Sequence, residues 1–453
     1  MSKPTPISGF PEWTPPQRMI EQYVLERIRR TFEMYGFAPL ETRAVEPLEQ
    51  LLRKGETSKE VYLISRLQEE GAASAGEGSL GLHFDLTVPF ARYVLENAGR
   101  LQFPFRRYQI QKVWRGERPQ EGRYREFLQA DIDIVDRDTL PPHHEAEIPL
   151  VIGDALGGLP LGNSDGGLPL DRPAITIQVN NRKILEGFYR GVGLADPLAA
   201  LRAVDRLDRI GPDRVAALLA ETAGATEAQA KACLALTEIA TSDPSFADAV
   251  RGLGVTDPML DEGLAELVAV MENAGAHAPG LCVADLRIAR GLDYYTGTVY
   301  ETQLRGYERF GSISSGGRYD NLASDANVRF PGVGISIGVT RLLGLLFGAE
   351  ALSISRSVPT CVLVALAAEE RRPESNRIAD ALRRRGIPTE VSPSAAKFGK
   401  QIRYAERRGI PYVWFPGADG VGDEVKDIRS GDQVAAAPDV WQPPVADLWP
   451  TVG

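Results

Sequence analysis

Apolar residues recur mostly every third or fourth position across 17–35 (QRMIEQYVLERIRRTFEMY), which sets Met19, Ile20, Tyr23, Val24, Ile28, Phe32 and Tyr35 on one side. This spacing predicts an amphipathic helix lying on a sheet, closed by Gly36. At 61–67 and again at 80–90 the period shortens to two, as in strands, and 105–135 reads as a long hairpin with a charged turn around RPQEGRYR. Helical spacing returns in EAEIPLVIGDALGGL at 145–159, and the Gly- and Pro-rich stretch 158–173 predicts an exposed loop. Residues 196–275 are rich in Ala and Leu without strand-like alternation and read as helices. Strand patterns resume at 281–318 and 329–338 and run into the apolar helix TRLLGLLFG.

Strand patterns on both sides of a helical stretch predict one α+β core with an inserted helical domain. The segment ALSISRSVP at 351–359 has no core pattern. Beyond it CVLVALA, TEVSP and PYVWFPG alternate with two helix-length segments, ESNRIADALRRRG and AAKFGKQIRYAERRG, which predicts a small α/β domain. The expected division is a core from 1–195 and 276–350, a helical insertion at 196–275, a linker at 351–357 and an α/β domain at 358–453.

Composition narrows the class. A chain of 453 residues exceeds a single small binding module. Cys233, Cys282 and Cys361 lie 49 and 79 positions apart with no Cys-x-x-Cys pair, which supports neither a disulfide framework nor a zinc site. With no signal-like start and no long apolar run, a cytoplasmic protein without a membrane partner is expected. The net charge of −10 argues against a protein that coats nucleic acid. Its distribution adds something: 106–125 carries seven Lys/Arg against two Glu, and 371–408 eleven against four acidic residues. Two basic surfaces on an acidic body suit a selective, structured polyanion.

In EFLQADIDI, Leu128, Ala130, Ile132 and Ile134 take one strand face and Phe127, Gln129, Asp131 and Asp133 the other, which suits a pocket wall. On the opposite arm Arg107, Gln109, Gln111 and Arg115 alternate with Tyr108, Ile110, Lys112 and Trp114, so the polar sets could face one another across one cavity. A hairpin with a solvated face is the competing reading. In GLHFDLTVPF, Asp85 and Thr87, two apart on a strand, can together receive an ammonium group, unless this is an edge strand showing polar residues to water; His83 reads as structural. ARGLDYYTGTVYE at 289–301 and SSGGRYDNL at 314–322 each set an Arg, able to neutralise phosphate or carboxylate, beside Gly, Asp and Tyr. PGVGISIGVTRLLG at 331–344 is a glycine-lined strand entering a helix near Thr340 and Arg341; it is not GxGxxG, and no P-loop occurs.

Taken together, VWRGERPQEGRYREF resembles the second motif of the class II aminoacyl-tRNA synthetases and GVGISIGVTRL the third, while RGLDYYTGTVYE and GGRYD resemble the two strings that set the histidyl-tRNA synthetase family apart. The resemblance runs from about residue 9 to about residue 435. It implies a mixed, mostly antiparallel catalytic sheet with a helical insertion, a C-terminal anticodon-binding domain, and a homodimer. It further implies an ATP-dependent ligase that makes histidyl-adenylate from L-histidine and ATP with magnesium, then loads histidine onto its tRNA. By matched position, Asp85, Thr87 and Gln129 would hold the α-amino group; Asp133 and Tyr295 would read the imidazole, with Tyr294 and Tyr319 completing that wall. Phe127 would stack on adenine with Glu117 at its amino edge, Arg115 would hold the α-phosphate, Arg123 and Arg341 the outer phosphates, and Arg290, opposite Arg115, would stabilise adenylate formation. The turn around Arg118 and Arg123 would approach the acceptor end of the tRNA.

Three positions depart from the family pattern: Thr340 replaces a glutamate before the third-motif arginine, Arg43 a proline of the first motif, and Gly9-Phe10 the usual Gly-Thr opening. The alternative function is a catalytically inactive, histidine-binding regulatory subunit of ATP phosphoribosyltransferase. Loss of the arginines would mark it, and Arg115, Arg123, Arg290 and Arg341 are all present.

Overall fold

Helix α1 (Pro15–Met34) buries Ile20, Val24, Ile28 and Phe32 of the predicted apolar side but leaves Tyr23 exposed, and Gly36 turns the chain at a φ of 77° that glycine adopts without strain. This computed structural model describes residues 5–52, 60–66, 78–159, 174–289, 294–324, 328–417 and 421–453. The chain divides into one unit of Met1–Pro11 with Leu25–Ala349 and another of Glu12–Val24 with Glu350–Gly453.

In the first unit, β1 (Ala38–Pro39), β2 (Val45–Pro47), α2 (Leu48–Leu51), β3 (Leu63–Ile64), β4 (Leu80–Leu82) and α3 (Thr87–Asn97) precede the hairpin of β5 (Phe105–Trp114) and β6 (Glu126–Val135). Then come α4 (His143–Gly157), β7 (Ile175–Asn181) and α5 (Arg182–Gly191). The stretch predicted helical holds α6 (Pro197–Val204), α7 (Leu207–Ile210), α8 (Pro212–Ala223), α9 (Glu227–Thr237), the two-residue β8 (Ala240–Thr241), α10 (Phe246–Gly252) and α11 (Pro258–His277). Caps explain several starts: Thr226 and Gln229 form a capping box on α9, and Asp257 accepts from Met259 N and Leu260 N ahead of Pro258 on α11. Helix α11 packs on α4 and α5, where Asn273 donates to Ala146 O and Asn181 to Glu266. The unit closes with β9 (Cys282–Asp285), β10 (Thr298–Leu304), β11 (Ser314–Tyr319), β12 (Gly332–Gly338) and α12 (Val339–Gly348).

Among the described residues one sheet runs β1-β5-β6-β12-β11-β10-β7-β9-β8. Only the β1–β5 and β7–β9 pairs are parallel, so the sheet is mixed and mostly antiparallel, as the resemblance implied. Ala130, Ile132 and Ile134 of β6 are fully buried, and α4 packs on β7 and β12. Among the described residues a second, antiparallel sheet of this unit has the order β2-β4-β3.

The strand expected over 80–90 is corrected. Only Leu80–Leu82 is extended, and a helix starts at Thr87. Pro89 lies in the first turn, where its missing N–H leaves no bond unmade, and Asp85 Oδ1 accepts from Val88 N at 3.1 Å, so local chemistry overrides the alternating pattern. Of 61–67, only Leu63–Ile64 forms a strand within the described residues. The predicted loop falls largely in 160–173, and Arg290 in 290–293; both lie outside the described residues.

The second unit has β13 (Val362–Val364), α13 (Arg372–Arg384), β14 (Thr389–Val391), α14 (Phe398–Arg408), β15 (Tyr412–Phe415), β16 (Glu424–Asp427), β17 (Gln433–Ala435) and α15 (Val445–Leu448). The sheet order is β14-β13-β15-β16-β17, with β13 parallel to both neighbours. Two cores follow from strand alternation. Val362 and Val364 pack with Ile378 and Leu382 of α13, and Leu363 and Ala365 with Ala405 of α14, so both faces are covered.

Candidate active site

Three cross-strand rows build one face of the large sheet. Arg107, Asp133, Gly334 and Gly317 are consecutive partners across β5, β6, β12 and β11; Gln109, Asp131, Ser336 and Ser315 form the next row; and Gln111, Gln129 and Gly338 the third. The two polar sets of the hairpin are therefore direct neighbours on one face rather than opposite walls.

Over these rows sit two cavities, of about 70 and 250 Å³, which share Arg115, Gln129, Ser315 and Ser336. Asp85, Thr87, Gln129, Asp133, Tyr294, Tyr295 and Tyr319 all line the smaller one. Asp133 of this lining is held in a buried ion pair, with Arg107 at 2.6 Å from Asp133 Oδ2 and Tyr319 donating to Asp133 Oδ1 at 2.6 Å. Arg107 also lies 4.3 Å from the Phe90 ring centre and donates to Leu86 O. Burial and the adjacent Asp133 carboxylate hold the Tyr319 phenol well above its usual range, so it stays a donor. Glycine is required under these groups. A Cβ on Gly332 would come within 2.6 Å of the Tyr319 ring, and one on Gly317 within 2.7 Å of Thr298 O and 2.9 Å of Tyr295.

The larger cavity is lined by Arg115, Glu117, Arg123, Phe127 and Arg341 together with Gly122, Tyr124 and Ser312–Ser315. Arg115 Nε donates to Phe84 O at 3.0 Å, and its guanidinium lies 5.1 Å from the Phe127 ring centre. Glu117 and Arg123 approach to 3.6 Å across the exposed turn, and Arg341 donates to Phe310 O. A ring-bearing wall beside three arginines is a site for a planar base carrying several phosphates. Among the described residues no group of three His, Cys, Asp or Glu could hold a metal.

A family profile described as histidyl-tRNA synthetase matches residues 9–342. The chain belongs to the histidyl-tRNA synthetase family. A profile described as anticodon binding domain matches residues 360–437. The chain is 58% identical over 464 residues to the histidine–tRNA ligase of Micrococcus luteus, covering 100% of this chain and 99% of that one. It is 57% identical over 457 residues to that of Cutibacterium acnes, with the same coverage. The crystal structure of histidyl-tRNA synthetase from Nostoc sp. PCC 7120 superposes with a TM-score of 0.83 at 34% identity, covering 97% of this chain and 98% of that one. The reaction is that of a histidine–tRNA ligase: histidine and ATP give histidyl-adenylate and diphosphate, and transfer to tRNA gives histidyl-tRNA and AMP.

Within this synthetase fold the departures acquire local partners. Thr340 is buried and its hydroxyl accepts from Leu128 N at 2.8 Å, tying α12 to β6. Gly9 O accepts from Arg125 N and Glu126 N, bracing the start of β6, and Arg43 pairs with Glu46 at 3.0 Å. Arg318 of the GGRYD string reaches neither cavity. It pairs with Glu145 at 2.7 Å and with Asp320, which also accepts from Thr296, and so anchors the chain next to Tyr294 and Tyr295. His83 is buried, bonds Lys112 O and stacks on Trp114, which fits its structural reading. Sequence reasoning missed the serines at 312–315 and the role of Arg107; the SISS string before GGRYD was the available signal for the first.

Proposed function

We propose that the two cavities divide the activation step, the smaller taking histidine and the larger ATP. The observation that carries this is that all seven residues expected to bind histidine line one cavity and all five expected to bind ATP line the other, with Arg115 at the seam. Asp85, Thr87 and Gln129 receive the α-ammonium, while Asp133, held by Arg107 and Tyr319, takes the imidazole N–H beside Tyr295 and Tyr294. Phe127 stacks on adenine, Glu117 meets its amino edge, and Arg123 and Arg341 hold the outer phosphates. Attack of the histidine carboxylate on the α-phosphate brings two anions together, so Arg115, joined by Arg290, neutralises the charge that builds on the phosphoryl oxygens. No protein nucleophile is required. Glu117 is the one carboxylate among the described residues lining the larger cavity, so it is the protein group that would hold a magnesium arriving with ATP, which would offset phosphate charge there; we propose no role for zinc.

The chain works as a cytoplasmic homodimer, with 196–275 as the inserted helical domain and the C-terminal domain meeting the anticodon. No described helix is long and apolar enough to cross a membrane. The test is histidine-dependent exchange of pyrophosphate into ATP. Asp133→Ala should raise the histidine KM far more than the ATP KM; equal changes in both would overturn the division.

A further inference from the structure

Ser336 of β12 lies directly across from Asp131 of β6, and its hydroxyl donates to Asp131 Oδ1. The same Ser336 Oγ accepts from Gln129 Nε2 at 3.0 Å, while Gln129 Oε1 is buried with no hydrogen-bond partner. All three residues line the smaller cavity, and Asp131 and Gln129 are 2% and 6% exposed. A carboxylate can only accept. It takes the serine proton, leaves Ser336 only lone pairs to offer Gln129, and so engages the amide NH₂ and frees the amide carbonyl. A buried acceptor without a partner costs free energy until a donor arrives, and an α-ammonium is a charged donor.

We propose that Asp131 and Ser336 are positioning residues for histidine activation: through a one-way hydrogen-bond chain they aim the Gln129 carbonyl at the α-ammonium. This rests on the reading above that Gln129 meets that ammonium, and it gives work to two residues which that reading leaves idle.

A protonated Asp131 could donate instead, which would reverse the chain and turn the Gln129 NH₂ toward the ammonium. Burial pushes the Asp131 carboxyl up to about 7; Arg107 and the Ser336 hydroxyl oppose the rise, and Asp133 and Asp85 add to it. Arg115, Tyr294, Tyr295 and Tyr319 are the other charged or titratable side chains among the described residues lining the same cavity. The productive polarity needs the ionised form, so histidine binding weakens as pH falls through that value.

The test uses the full chain in pyrophosphate exchange, with histidine and ATP varied separately and with 3-(imidazol-4-yl)propionate, which lacks the amino group, as a competitive probe. Ser336→Ala and Asp131→Ala should each raise the histidine KM about tenfold, with the ATP KM and the probe's Ki held within about twofold. Asp131→Asn, which cannot titrate and whose amide can donate as well as accept, should raise the histidine KM at alkaline pH and lose the extra acid-side rise in KM that the wild type shows. Equal losses for histidine and for the des-amino probe would overturn the proposal, because they report general damage to the pocket. If Gln129→Ala raises the histidine KM while Ser336→Ala and Asp131→Ala do not, the chain is refuted and the Gln129 reading stands. If Gln129→Ala also leaves the histidine KM unchanged, the Gln129 reading fails and the proposal with it.

Discussion

Gly334→Ala is the sharpest probe of how the sheet positions Asp133, the carboxylate we propose to bind the imidazole. The added methyl would lie 2.1 Å from Asp133 Oδ1, 2.6 Å from its Cγ and 2.6 Å from Ile132 O. These separations fall roughly 1 Å or more short of ordinary van der Waals contact. The carboxylate has little room to yield, because Arg107 and Tyr319 each hold one oxygen at 2.6 Å. A displacement of about 1 Å in a positioned group costs on the order of 100-fold in rate, or about 2.7 kcal/mol. Overpacking should also lower unfolding stability by about 1–3 kcal/mol. The assay is pyrophosphate exchange with each substrate varied in turn: kcat/KM for histidine should fall about 100-fold while the ATP KM stays within about threefold. Gly275→Ala, where an added Cβ meets nothing within 4 Å, is the silent control. Wild-type histidine kinetics in Gly334→Ala would refute the claim that the glycine column sets the position of Asp133, and equal loss toward both substrates would move the effect outside the amino-acid cavity.

Arg318→Ala should lower the denaturant midpoint by an amount equivalent to about 3–5 kcal/mol, since it strands Glu145, whose side chain is 2% exposed; Glu145→Gln in the same chain should recover part of the loss. No recovery would mean that charge burial is not the cause. Lys397 at the N-cap of α14 and Lys400, Arg403 and Arg407 along it are exposed, whereas Arg408 is engaged by Glu390 at 3.0 Å. Lys400→Ala with Arg403→Ala should weaken tRNA charging at limiting RNA and flatten its salt dependence by roughly 0.7–0.9 log units per lost phosphate contact, with exchange unaffected; an unchanged salt slope would exclude this helix from the RNA surface.

Where side-chain period decides structure, the fold could be read from residue spacing alone. The α1 stripe, the β5–β6 hairpin and the strand-helix alternation after Thr360 each rest on apolar positions that are buried in the structure. At 80–90 the spacing misled, because Asp85 and Pro89 form a helix start whose chemistry lies in three residues and not in a repeat. The cavity residues were legible as types in strings, but their partners were not. Nothing local marks Arg107 as the counter-ion of Asp133, 26 positions away, or Glu145 as that of Arg318; both pairs arise from strand register and from helix packing on the sheet. Thr340 departs from the family pattern in sequence, and only the fold shows that its hydroxyl serves the backbone of Leu128.

Under the proposed division of the two cavities, their charges also set which way round a histidine would lie. Among the described residues, the smaller holds Asp85, Asp131 and Asp133 near the buried Arg107 and the shared Arg115, whereas the larger sets Arg115, Arg123 and Arg341 against Glu117. Potential therefore rises from the acid-lined end toward the arginine-lined end, and a zwitterion entering this gradient lowers its energy with its ammonium at the first and its carboxylate at the second. Arg115 stands at the boundary, fixed by Phe84 O and stacked near Phe127. In the proposed division of the cavities this draws the carboxylate toward the guanidinium assigned to the α-phosphate, which would bring the attacking oxygen to its target before any bond forms. A sheet face whose rows change from acid and glycine to serine and glutamine, ending against arginines on the adjoining turn and helix, can in this way orient the amino acid and cancel the repulsion between nucleophile and phosphate.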